Sequence, residues 1–268
     1  MDFGLTDKRA LVTGSTSGIG EAVARRLAGE HARVVVHGRN KERAEAIVDD
    51  IRAKGGNASF FLADLATPQG CDALGAYIQE TLGGVDILVN NAGGSDDPSR
   101  TWATTKWEDW IEDFEFNAGS AVRMIQLLMP GMKKQGWGRI IQFASTGGTM
   151  PFAHTSPAYN SIKGGIITMT TSLSKTIARH GVTVNCITPG AIDTPVYRKF
   201  VTKLPPFKDK TIEEINTFLA KRWGVSTGYL GVPDDLAPAV AFLCSNQANW
   251  ITGVNLRIDG GMSFFINT

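Results

Sequence analysis

Eight consecutive residues constrain this chain more than any others: Thr13-Gly14-Ser15-Thr16-Ser17-Gly18-Ile19-Gly20. A short apolar run, Ala10-Leu11-Val12, precedes them. Glu21 to Ala28 follows, with good helix formers and apolar residues at helical spacing. The arrangement predicts strand, tight glycine turn and helix. Glycine has no Cβ, so such a turn lets backbone pass close to a ligand. The helix beyond it presents unpaired N–H groups and the positive end of its dipole, which suit a pyrophosphate. Taken alone the pattern also fits a plain glycine-rich βα loop.

The rest of the chain repeats the alternation. Further β-branched or apolar runs lie at Arg33 to His37, Ala58 to Leu62, Val85 to Val89, Arg139 to Phe143, Thr183 to Ile187 and Asn255 to Ile258. Helical patterns separate them at Lys41 to Lys54, Thr67 to Leu82, Thr104 to Lys134, Pro157 to Arg179 and Pro233 to Cys244. Strands alternating with helices imply right-handed βαβ units and a mostly parallel sheet covered on both faces. The expectation is one α/β, doubly wound, Rossmann-type domain over 1–268 with a seven-stranded sheet. The stretch from Ala191 to Gly231 interrupts it with Pro195, Pro205 and Pro206, two charge clusters and a helical segment near Ile212 to Arg222. Its place after a strand's carboxyl end predicts a substrate lid.

Composition excludes several classes. A net charge of +1 gives no electrostatic reason to expect nucleic acid or an acidic membrane as partner. Neither a signal core nor an apolar run long enough to span a bilayer is found. Cys71, Cys186 and Cys244 lie far apart without metal-ligand spacing and fit reduced core residues of a cytoplasmic protein. His31, His37, His154 and His180 are equally scattered, so no metal is assigned.

Tyr159 and Lys163 stand one helical turn apart near the start of a helix, on one face. A phenol ordinarily titrates near pH 10, and a neighbouring ammonium favours its ionised form, so the pair makes a general acid/base. Ser145 follows the fifth strand and can donate to a substrate oxygen, as an ordinary turn serine also could lie there. Asn90-Asn91-Ala92-Gly93-Gly94 ends the fourth strand with small residues. Asn117 sits inside a predicted helix, where asparagine is mildly unfavourable.

Taken together, Thr13-Gly14-xxx-Gly18-Ile19-Gly20, Asn90-Asn91-Ala92-Gly93, Asn117, Ser145, Tyr159-xxx-Lys163 and Pro189-Gly190 resemble the short-chain dehydrogenase/reductase family. The resemblance runs from about Leu5 to Gly261 and leaves out the lid. It implies that Gly14, Ser15, Thr16, Ser17, Gly18, Ile19 and Gly20 hold a pyrophosphate. Asp64 and Leu65 would meet the adenine, and Asn90, Asn91, Ala92 and Gly93 the adenosine ribose. Tyr159 would be the acid/base, with Lys163 lowering its pKa and binding the nicotinamide ribose. Ser145 would orient a substrate carbonyl, and Asn117 would hold a water linking Lys163 to solvent. Pro189, Gly190, Ile192 and Thr194 would border the nicotinamide. Two departures are visible: Ala144 stands where a serine is frequent, and the interval from Ser145 to Tyr159 is one residue longer than usual.

At the second strand's end, where an NAD enzyme wants a carboxylate for the ribose 2′-OH, the chain has Gly38 and then Arg39. A guanidinium pairs with a phosphate, so NADP(H) is the expected cofactor, with Asn40, Ser15 and Thr16 as helpers. The rim residues Trp102, Phe152 and Tyr197, with Phe200 and Trp223, suggest a fairly apolar carbonyl or alcohol substrate. Between Arg198 and Lys210 the lid carries a local charge of +4. A solvated surface explains it, as would an acidic substrate or acyl carrier. The leading expectation is an NADP(H)-dependent carbonyl reductase or alcohol dehydrogenase. A 3-oxoacyl thioester reductase and a non-enzymatic NADPH-binding redox sensor stand as alternatives. The family resemblance further implies a homo-oligomer, tetramer or dimer, pairing the helices at Thr104 to Lys134 and Pro157 to Arg179. The last strand and the tail, with Phe264, Phe265 and Ile266, would form another contact.

Overall fold

A computed structural model describes residues 2–95, 97, 99–151 and 156–264. Seven strands form one parallel sheet in the order β3-β2-β1-β4-β5-β6-β7. They are β1 Arg9–Val12, β2 Arg33–Gly38, β3 Asn57–Leu62, β4 Ile87–Asn90, β5 Gly138–Phe143, β6 Val182–Pro189 and β7 Asn255–Ile258. Register pairs such as Leu11 with Val35, Leu11 with Leu88, and Ile141 with Asn185 run straight across it.

Each strand is apolar on both sides because each side is covered. Val12, Val36, Val89, Ile141 and Ile187 face the helices α1 Gly18–Gly29, α2 Lys41–Ala53 and α9 Ala237–Cys244. Leu11, Val35, Leu88, Ile140 and Val184 face α3 Pro68–Leu82, α5 Ser120–Gln135 and α6 Pro157–Ile177. Burying such side chains contributes roughly 1.5–3 kcal/mol each, which fixes the strands as doubly buried. The long helical pattern after β4 is divided in the structure. A short helix, α4 Trp107–Phe114, passes into a π turn at Glu115–Gly119 before α5.

The segment at 191–231 leaves the sheet after β6 and returns to it. Its two ends are pinned by a parallel bridge between Ile192 and Gly231. Within it α7 Pro195–Val201 and α8 Ile212–Arg222 share a small core of Val201, Phe207, Ile215 and Leu219, separate from the clusters on the sheet.

Candidate active site

The strand order reverses between β1 and β4, and a cleft opens there at the carboxyl ends of the strands, as open α/β sheets require. Its volume is about 460 Å³. Gly14, Thr16, Ser17, Gly18 and Ile19 line one end of the wall, and Arg39, Asp64 and Leu65 line it beside them. Asn91, Ala92 and Gly93 form the middle, and Ser145, Tyr159, Lys163, Pro189, Gly190, Ile192 and Thr194 the far end. Gly14 and Thr194, far apart in sequence, thus converge because the carboxyl ends of six neighbouring strands, from β3 to β6 in sheet order, border one cleft.

The glycine turn is built for close approach. Gly14 has φ +63°, and a Cβ on it would stand 2.9 Å from the Ala92 Cα. A Cβ on Gly20 would meet the Gly14 carbonyl oxygen at 2.4 Å, so Gly20 is there to let α1 pack against the turn. Asn91 ties the turn to β4, its Nδ2 donating to the carbonyls of Thr13 and Gly14 at 3.0 and 3.1 Å. Side chains of Asn40, Thr67, Ser156 and Thr194 cap α2, α3, α6 and α7. No side chain caps α1, whose N-cap is Ser17. The uncapped first turn of α1 lies on the cleft, and its free N–H groups and dipole fit a phosphate.

At the end of β2 a Cβ on Gly38 would fall 2.4 Å from the Thr16 Oγ1. A carboxylate side chain has no room there. Arg39 is exposed, with Nη1 3.9 Å from the Asp64 carboxylate and its guanidinium 5.7 Å from the centre of the Phe116 ring. The positions fit a cofactor carrying a 2′-phosphate, met by a cation and not by an acid.

Several expectations need correction. Ser15 is buried and committed: its hydroxyl donates to Val12 O at 2.7 Å and accepts from the His37 N–H at 2.9 Å, and its own N–H donates to His37 O. It braces the turn and has nothing left for a phosphate. Asn40 uses its oxygen to cap α2 through the Arg43 N–H at 2.8 Å and does not line the cleft. Trp102 is exposed and packs at a tilt against Trp110, ring centres 5.7 Å apart, outside the cleft lining. Tyr197 also falls outside the lining, its hydroxyl donating to Asn216 Oδ1 at 2.8 Å. Phe152 lies outside the described residues.

Tyr159 and Lys163 stand on the first turns of α6, which opens with the Ser156 cap and Pro157. The Tyr159 phenol interacts with the Ser145 hydroxyl, at the end of β5. Burial raises the phenol's pKa, the Ser145 hydroxyl opposes that, and the negative charge of Asp113 adds to it. The Lys163 ammonium is buried, donates to the Phe143 carbonyl at 3.0 Å and lies 5.5 Å from the Tyr159 ring centre. Burial without a carboxylate partner pushes its pKa down to about 8. Asn117 occupies the π turn, a conformation that widens a helix and is frequent at functional sites. Its amide accepts from the Gly94 N–H at 2.9 Å and donates to the carbonyls of Gly94 and Asp113 at 2.8 and 3.0 Å. It thereby fixes the loop beside Lys163. A Cβ on Gly93 would lie 2.6 Å from Asn117 Oδ1 and 3.2 Å from Lys163 Nζ, so only glycine passes between them.

Sequence reasoning missed His37 and Phe116, both on the cleft. His37 is the clearer. Its Nδ1 accepts from the Gly14 N–H at 3.1 Å and its Nε2 faces Ala63 O at 3.2 Å, so the ring is neutral with the proton on Nε2. Burial pushes its pKa down to about 4. A histidine closing a run of valines was the available signal.

A dinucleotide cleft with a serine, a tyrosine and a lysine grouped at one end defines a pyridine-nucleotide oxidoreductase. The family profile described as short chain dehydrogenase matches residues 8–204, and the chain belongs to that family. Among curated relatives, the 3-oxoacyl-(acyl-carrier-protein) reductase of Vibrio cholerae is 37% identical over 96% of this chain and 98% of its own. Among solved structures, L-sorbose reductase from Gluconobacter frateurii, complexed with NADPH and L-sorbose, superposes with a TM-score of 0.92 at 33% identity, covering 98% of both chains. A 3-oxoacyl (acyl-carrier-protein) reductase from Agrobacterium tumefaciens with NADP bound gives a TM-score of 0.85 at 30% identity, covering 97% of this chain and 96% of that one.

Proposed function

We propose that this chain is an NADP(H)-dependent reductase of a small ketone or aldehyde, with Tyr159 as the proton donor. The observation that carries the proposal is the grouping of Tyr159, Ser145 and Lys163 at one end of the same cleft. The free first turn of α1 would take the pyrophosphate, Arg39 and Thr16 the 2′-phosphate, and Lys163 the nicotinamide ribose. Pro189, Gly190, Ile192 and Thr194 would border the nicotinamide. When bound, the cofactor supplies the hydride, or accepts it in the reverse direction.

The protein's part is proton transfer and charge stabilisation. As a carbonyl is reduced, negative charge gathers on its oxygen. Tyr159 donates its proton to that oxygen while the Ser145 hydroxyl donates a hydrogen bond to it. The phenolate left behind is stabilised by the Lys163 ammonium, held in place by Phe143 O and by the loop that Asn117 fixes. A water returning the proton through Lys163 would pass beside Asn117. Segment 191–231 would be the lid over the substrate.

A second reading, reduction of a 3-oxoacyl thioester, is favoured by the exposed Arg198, Lys199, Lys203, Lys208 and Lys210 on that segment, which suit an acidic carrier. Initial rates of NADPH oxidation over ketoses, simple ketones, aldehydes and acetoacetyl thioesters separate the two. A preference for thioesters with a KM that rises steeply with salt supports the carrier; preference for free ketones and flat salt dependence supports the first reading. NADPH binding without turnover on any of them would indicate a binder.

We further assign the working form to a homo-oligomer, dimer or tetramer, in the cytoplasm. Trp107, Ile111, Phe114 and Leu127 are exposed on α4 and α5. An apolar groove of about 330 Å³ runs between Phe114, Ala118 and Val122 and the α6 residues Ile162, Ile166 and Met169. Such a face suits a second copy. Gel filtration at monomer size would count against it. All three cysteines are free and buried, as in a reducing compartment. Among the described residues no helix is long and apolar enough to cross a membrane.

A further inference from the structure

The segment at 191–231 carries its own small core; its far end meets the body where Ala220, Val225 and Leu230 pack with Met262 and where Ser226 and Thr227 donate to the carbonyls of Gly261 and Gly260. At its base the backbone is fixed by Asp193 N–H to Gly231 O at 2.8 Å and Gly231 N–H to Ala191 O at 3.1 Å. Beyond the base, the polar contacts of both its helices meet on one side chain. Asp193 accepts from Arg198 of α7 through Nε at 2.6 Å and Nη2 at 2.9 Å, a bidentate pair. It also accepts from Asn216 Nδ2 of α8 at 2.8 Å. Asn216 Oδ1 in turn takes the Tyr197 hydroxyl of α7 at 2.8 Å.

The carboxylate stands where this matters. Its chain neighbours Ile192 and Thr194 both line the cleft, at the end that holds Tyr159 and Ser145. Thr194 also caps α7, accepting from Tyr197 N–H at 3.2 Å, and its Cγ2 lies 3.4 Å from where a Cβ on Gly18 would stand. The Asp193 side chain is 8% exposed although its partner Arg198 is 57% exposed. A charge-assisted bidentate bond is about twice as strong as a neutral one, and a sheltered one is screened less.

We infer that Asp193 is a positioning residue that latches α7 and α8 onto the strand-end segment 189–194 and so sets how firmly the carbonyl substrate is held over Tyr159. What the cleft holds rests on the reading under Proposed function; the latch itself does not. A side chain that ties both helices of a separately cored segment to the wall of the cleft controls its local opening. Positioning by a closed lid acts on the bound substrate and leaves the proton-transfer groups untouched.

The test uses the full-length protein and two variants, Asp193→Asn and Asn216→Ala. Limited trypsin digestion reads the latch directly, since Arg198, Lys199, Lys203, Lys208 and Lys210 are exposed cleavage sites on the latched segment. Cleavage there should quicken about tenfold in each variant, the loss expected for one or two charge-assisted hydrogen bonds, while cleavage elsewhere stays unchanged. In steady state the KM for the best carbonyl substrate should rise about tenfold, with kcat within about twofold of the parent. Faster cleavage with an unchanged KM would make Asp193 a structural brace only and overturn the inference. Unchanged cleavage in both variants would overturn the latch. Should Asp193→Asn fail to fold, Asn216→Ala, on a half-buried helix position, decides alone. If the parent protein reduces no carbonyl with NADPH, the functional reading fails, and the trypsin result still decides the latch.

Discussion

The Lys163 ammonium donates to the Phe143 carbonyl oxygen at 3.0 Å, across the gap between α6 and the end of β5, in a buried site where no carboxylate among the described residues pairs with it. Its pKa falls from 10.5 to about 8, because burial penalises the charged form. A lysine whose folded pKa is lowered costs stability in full below the folded value, and the cost fades as pH rises through the unfolded one. A fall of that size corresponds to roughly 3 kcal/mol. Lys163→Met should therefore raise the thermal midpoint by a few degrees at pH 7, and the gain should vanish near pH 10.5. Activity should be lost in the same variant. Calorimetry at both pH values checks it, and a variant less stable at pH 7 would contradict the electrostatic account.

His37 works in the opposite range. Its folded pKa is about 4 against an ordinary 6.5. The unfolded chain binds the proton first, so stability falls as pH drops from 6.5 toward 4, by roughly 3 kcal/mol in all. Protonation would also cost Nδ1 its acceptor role toward the Gly14 N–H. Urea unfolding of the parent and of His37→Gln at pH 7 and pH 4.5 should show the parent losing more. Equal losses would mean that the histidine titrates freely.

Arg39 faces the cleft where the 2′-phosphate would sit, and Thr16 fills the space a carboxylate at Gly38 would need. Arg39→Ala should weaken NADPH about 10- to 100-fold, the worth of one or two charge-assisted phosphate bonds at an exposed site, and leave NADH nearly unchanged. Titration of both nucleotides measures it. A variant that keeps its preference for NADPH would remove Arg39 from the phosphate site.

The alternation of apolar runs and helical patterns made the doubly wound sheet legible, because each strand had to be buried on both faces. The Tyr159 and Lys163 pair was legible from its spacing on one helix, and the glycine turn from its place between strand and helix. What the sequence could not carry was the direction of side chains in the turns. Ser15 and Ser17 are two residues apart in the same loop, yet one is spent on Val12 and His37 and the other opens onto the cleft. Tyr197 looked like a substrate contact because it is aromatic and near the pocket, but Asn216, nineteen positions on, takes its hydroxyl. Such pairings depend on how α7 and α8 fold back, which no local pattern encodes. The π turn at Asn117 was hidden for a similar reason: it is a single widened turn between ordinary helices, held by the bonds Asn117 makes to Gly94, far off in the sequence.

The most direct measurement is the rate of carbonyl reduction by Tyr159→Phe, with NADPH affinity determined on the same preparation. Removing one hydroxyl leaves the ring and its packing in place but takes away the proton. The account predicts a fall in kcat of about a thousandfold, the contribution of a positioned general acid, with NADPH affinity within about threefold of the parent. A variant that retained a tenth or more of the parent kcat would contradict it.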